Sequence, residues 1–187
     1  MNDAGWSLRA RLRHDTRDIH DELDTLVSQF DLTSAAGLAG FLQMQVTAMR
    51  ALDRVAADGM SHSAMYDLRE RAVSDLDSLG VPVETGAAET EAQVHPLAVD
   101  YAIAGSRLGT QVLKQRWQQS TDPQVAGADA YFTAPSYIDL WKAFCSTTGA
   151  MPGTGAEAEQ IVGDANGLFA LYARCARAAL PTETAHA

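Results

Sequence analysis

His20 lies in the stretch RHDTRDIHDELD, at the edge of an apolar stripe formed by Leu8, Leu12, Ile19, Leu23 and Leu26. Residues recurring at three- and four-residue steps mark an amphipathic helix, so this imidazole is placed to point into a cleft. A lone histidine there is more often a hydrogen-bonded rim residue than a ligand. Its neighbours add to it: Arg13 stands seven positions earlier, two helical turns and about 10 Å along the axis, on the same side. Thr16 and Arg17 occupy the turn between them. His14, six positions before His20, falls well round the helix and is a reserve candidate. A second cluster lies in YAIAGSRLGTQVLKQRW, where Gly105 and Gly109 are one turn apart and share a face. Each glycine costs about 1 kcal/mol in a helix interior relative to alanine. A pair on one face has two explanations. One is close helix–helix packing through small residues; the other is a backbone lying against a flat ligand, with room above it for a small molecule.

The elements that position these residues are helices throughout. Thr33 or Ser34 can cap a helix carrying Leu38, Phe41, Leu42, Val46, Met49, Leu52 and Val55, which stops near Gly59. Another runs from about Met65 to Leu79 and ends at Gly80, before Pro82. Residues 82–93 read as an exposed connection, and Pro96 suits the first turn of a long helix reaching Trp117. The stretch QSTDPQVAGADAYFTAP is irregular. Pro135 and Ser136 can open a helix with Ile138, Leu140, Trp141 and Phe144, which GAMPGTG breaks. Thr154 with Glu157 resembles a capping box for a last helix running to Pro181. The expectation is all-α: a single-domain bundle of six helices over residues 1–187, with loose ends at about 1–7 and 181–187.

Composition narrows the function. The 187 residues are 47% hydrophobic and 20% charged, which suits one globular domain. A net charge of −10 argues against general nucleic-acid binding, which needs a basic face. Four of the fourteen basic residues, Arg9, Arg11, Arg13 and Arg17, nevertheless crowd the first seventeen positions, where an anionic ligand or partner would be received. No run is apolar enough for a membrane span or a secretory leader, so a soluble, cytoplasmic protein is expected. Cys145 and Cys175 form no CxxC pair and are expected reduced and partly buried. The absence of a Glu-x-x-His pair disfavours a carboxylate-bridged di-iron site, and no nucleophile elbow supports Ser-His-Asp chemistry.

A histidine and an arginine two turns apart fit a ligand with a metal at one place and carboxylates a ring-width away. Haem is such a ligand, since imidazole binds iron and propionates seek arginine or lysine. At this point the residues reach a family. LRHDTRDIHDELD resembles the proximal helix of haem oxygenases, and GSRLGTQVLK resembles their glycine-bearing distal helix. LTSAAGLAGFLQ and DLDSLG resemble connecting helices of bacterial members, and GSRLG is most similar to the enzymes associated with phytochromes. The likeness covers about the first 120 residues, and WKAFCS and the last helix more loosely.

The resemblance implies the haem oxygenase fold and the oxidative opening of haem to biliverdin, with release of iron and carbon monoxide. Haem b is then both cofactor and substrate, and dioxygen the co-substrate. It implies that His20 is the axial iron ligand and that Arg13, with Lys142 in WKAF, contacts the propionates. Thr16 and Arg17 belong to the same haem-binding group, and Gly105, Ser106 and Gly109 form the catalytic distal face. Ser106 stands where many members have an aspartate that organises distal water. Electrons would come from a ferredoxin or a flavoprotein reductase, with Arg9, Arg11, Lys114 and Arg116 as docking charges or plain solvated surface. A bacteriophytochrome is a further expected partner, as receiver of biliverdin. Two alternatives stay open: a haem-binding protein of this fold that stores, senses or passes on haem, and a thiaminase-like or interaction relative without haem.

Overall fold

A computed structural model describes residues 5–53, 59–84 and 93–181. Among these residues the fold is all-α, with α1 (Leu8–Asp15), α2 (Arg17–Ser28), α3 (Ala35–Asp53) and α4 (His62–Ser78), then α5 (Pro96–Trp117), α6 (Pro123–Gly127), α7 (Ile138–Ala150) and α8 (Ala156–Ala179). No helix is long and apolar enough to cross a membrane. Several ends follow from local chemistry. Ser34 Oγ accepts the Gly37 amide at 3.1 Å and so opens α3, while His95 Nδ1 accepts from Leu97 at 3.2 Å ahead of Pro96, the first residue of α5. Residues 54–58 and 85–92 fall outside the description, as do 1–4 and 182–187 of the expected loose ends.

Four features differ from the sequence expectation. The first long helix is two, divided at Thr16 (φ −103°, ψ 0°). Thr16 Oγ1 bonds back to Leu12 O at 2.8 Å, the hydroxyl contact that bends helices. The supposedly irregular stretch holds the short α6, because Asp122 caps Gln124 at 2.8 Å just before Pro123. α7 starts at Ile138 instead of Pro135, since Tyr137 takes a left-handed conformation (φ 52°). The capping box does not form: Gly155, at φ 99°, precedes α8, and no side chain caps it.

α3 is the inner helix, with Leu38, Phe41, Leu42, Val46 and Leu52 fully enclosed. It packs against α4 and α8. α8 is the shared element, because α1, α2, α3 and α5 all lie against it, and α7 covers α5 and α1. Two buried aspartates brace the bundle. Asp75 accepts the Ala130 and Tyr131 amides at 2.9 and 2.8 Å, and burial raises its pKa against the pull of those bonds. Asp100 accepts the Ser61 amide at 2.7 Å, which joins α5 to the start of α4. Trp6 and Ser7 are tied down by a bridge to Pro152. Gly153 N donates to Trp6 O at 2.8 Å, and a Cβ at Gly153 would strike that backbone. Cys145 is half-buried, Cys175 is buried, and neither is in a disulfide.

Candidate functional site

α2 buries none of its residues fully; Leu23, Leu26 and Val27 lean on the core and leave the opposite face wet. His20 stands at that boundary with its side chain 48% exposed. Its ring meets Phe169 of α8 edge-on, with centroids 5.4 Å apart. Nδ1 lies 3.4 Å from Asp24 Oδ2 and 3.9 Å from Asp21 Oδ1. Nε2 has no hydrogen-bond partner among the described residues. Nδ1 makes no hydrogen bond to either carboxylate, but a carboxylate near one ring nitrogen is the kind of neighbour that can orient a metal-bound histidine.

Phe169 also meets Tyr101 of α5 edge-on at 5.9 Å. The Tyr101 hydroxyl reaches Thr16 Oγ1 at 3.3 Å. His20 and Tyr101 are thus joined across Phe169 of α8, while Thr16 touches Tyr101 directly. Gly105 follows Tyr101 by one turn and Gly109 by two, along one face of α5. The two glycines have different surroundings. A Cβ at Gly105 would stand 3.3 Å from the Trp141 ring, so tight packing on α7 accounts for it. At Gly109 it would meet nothing within 4 Å, so helix packing does not account for the second glycine. Leu108 and Val112 beside it are exposed, at 49% and 61%.

Ser106 is exposed, and its hydroxyl donates to Ile103 O at 2.8 Å within its own helix. Arg13 and Arg17 are exposed, and neither makes an ion pair or a side-chain hydrogen bond among the described residues. The break at Thr16 puts Arg13 on α1 and His20 on α2, so one continuous helix does not set their relation. Lys142 is 69% exposed on α7 and pairs with Asp139 at 3.1 Å. His14 is held by Asp15 at 2.7 Å and packs edge-on against Trp6. Two of the suggested docking charges serve the fold instead. Arg11 binds Glu159, Asp15 and Gly153 O, while Arg116 donates to Ser28 O and Phe30 O.

Sequence reading singled out neither Phe169 nor Tyr101. The available signal was Tyr101 one turn ahead of Gly105; nothing local joins Phe169 to His20. No family model and no curated protein matches the chain, so its resemblance to a family rests on its own residues.

Proposed function

We propose that this protein is a haem oxygenase, opening haem to biliverdin with release of iron and carbon monoxide. Dioxygen is the co-substrate, and a ferredoxin or flavoprotein reductase supplies the electrons. The observation that carries the reading is His20: half-exposed, backed by Asp24 at Nδ1, unbonded at Nε2, and joined through Phe169 to the Tyr101–Gly105–Gly109 face of α5. Among the described residues no three His, Cys, Asp or Glu side chains gather as a metal site. An iron held by His20 would therefore have to bring further ligands of its own, as a haem iron does.

In this reading His20 would hold the iron through Nε2, with Asp24 near Nδ1 to favour the proton there. Arg13 and Arg17, free of internal partners, offset the propionate charges. Open space at Gly109 admits the ring plane and a small molecule above it. Bound haem supplies the oxygen activation as well as the carbon that is attacked. Thr16 and Tyr101 offer hydroxyls at the margin of the site. Lys142 contributes only by leaving Asp139.

The bonded, exposed state of the Ser106 hydroxyl favours a second reading, in which haem is bound but not opened. The two separate in one experiment. Hemin is titrated into the wild type and into His20→Ala, and reductant in air is then added with catalase present. A histidine-ligated spectrum lost in His20→Ala, followed by biliverdin and carbon monoxide, is the expected result. Intact haem after reduction would leave the binding reading alone. The same axial-ligand spectrum in the mutant would remove His20 from both.

A further inference from the structure

On the far side of α5 from Gly105, Arg107 is 92% buried, its relative exposure being 8%. Its Nε and Nη1 are enclosed and have no hydrogen-bond partner among the described residues. The guanidinium lies over the Tyr131 ring, 5.5 Å from its centroid. Arg107 also makes a side-chain hydrogen bond to Tyr131, but one such contact and a ring face replace only part of a buried guanidinium's lost hydration. Asp67, the carboxylate whose field Arg107 shares, is already engaged by the Tyr137 hydroxyl at 2.5 Å and Arg71 Nε at 2.7 Å. Arg107 is therefore a cation with donors to spare.

Arg107 lines a cavity of about 370 Å³, within the usual size range of small-molecule sites. Lys114, Thr110 and Ser136 line it with Arg107, and Phe132, Leu108 and Ile138 give it apolar walls. No carboxylate lines it. In a chain of net charge −10, a cavity with two cations and no acid is a local reversal of sign. We propose that this cavity binds a small organic carboxylate, its anionic head on Arg107 and Lys114 and its apolar body against Phe132 and Leu108. A planar guanidinium presents paired N–H groups along an edge that a carboxylate can meet, while Lys114 acts as a point charge at the rim. The apolar walls select against inorganic anions, which would leave them wet. The site is separate from His20 and does not depend on haem binding.

The probe is benzoate, followed by amide and arginine Nε NMR of the full chain, with benzamide and inorganic phosphate as controls. Saturable shifts at the Arg107 Nε–H and at the Thr110 and Ser136 amides are expected, with benzamide and phosphate inert. Arg107→Met should weaken benzoate binding by at least about tenfold, and Lys114→Gln by roughly two- to fivefold. Arg107→Met should also fold, since exchanging an unpaired buried charge for an apolar chain is neutral or stabilising. If that variant does not fold, the wild-type shift map and Lys114→Gln decide the matter. Absent saturation, shifts elsewhere, equal binding of benzamide or phosphate, or full affinity in folded Arg107→Met would each overturn the proposal.

Discussion

α3 and α2 are both amphipathic helices, yet α3 buries eleven of its nineteen residues and α2 none of its twelve. α3 is enclosed by α4 on one side and α8 on another, whereas α2 has α8 as its main support. The contrast separates two tasks. A helix enclosed on several sides fixes the fold and has no face left for a ligand. One supported along a single strip keeps a polar bank, and there His20 remains reachable.

Emptying the enclosed helix should have the largest effect. Phe41 is fully buried and packs on Phe30, Tyr131 and Phe132. Phe41→Ala should cost about 3–5 kcal/mol in urea unfolding, because the cavity cannot collapse among rings held on two separate turns. Leu23→Ala, on the half-covered strip of α2, should cost about 1 kcal/mol or less by the same measurement. Equal losses at the two sites would mean that α2 is core, and the division of tasks would fail.

The smallest effect is a pH dependence at the α1–α8 junction. Glu159 is held below its ordinary pKa by hydrogen bonds from Arg11. Asp15 is held low by His14 first and by Arg11 after it, against the effect of burial. For carboxylates shifted down, the folded state gains stability above their unfolded pKa of about 4. That gain disappears as the pH falls through the lower folded values. Melting temperature should therefore decline with acidification below about pH 4, and Arg11→Met should flatten that part of the curve. An unchanged acid limb in Arg11→Met would show that the junction adds nothing.

Periodicity and punctuation located the start of α3, and α4, α5 and α8, to within a few residues, because Ser34, Gly80, Pro96 and Pro181 act over a turn or less; the expected end of α3, past Val55, lies outside the described residues. The division at Thr16 was not legible. A threonine whose hydroxyl returns to Leu12 O has the same neighbours as one that points to solvent. Tyr137's left-handed backbone was hidden for a related reason: Asp67, which its hydroxyl reaches, lies 70 positions away. At the site, His20 and the glycines were visible as unusual residue types on their helices. Phe169 between them was not, since its place depends on three helices meeting. Arg107 was hidden most completely, because an arginine flanked by Ser106 and Leu108 reads as solvated surface, and burial follows only from the loop carrying Tyr131 and Phe132.

The bridge from Ser7 to Pro152 also says something about the order of assembly. α3 and α4 are neighbours in sequence and in space, so their shared core can form while later segments are still being synthesised. α1 and α2 precede their main supports, α7 and α8, by more than a hundred residues of chain. The amide of Leu8 must wait for the carbonyl of Met151, 2.9 Å away in the finished fold. Contacts this distant along the chain carry a late closure cost. The bank that bears His20 is thus made before the supports it docks on, and a chain cut before α8 would carry the histidine with no Phe169 to set it against.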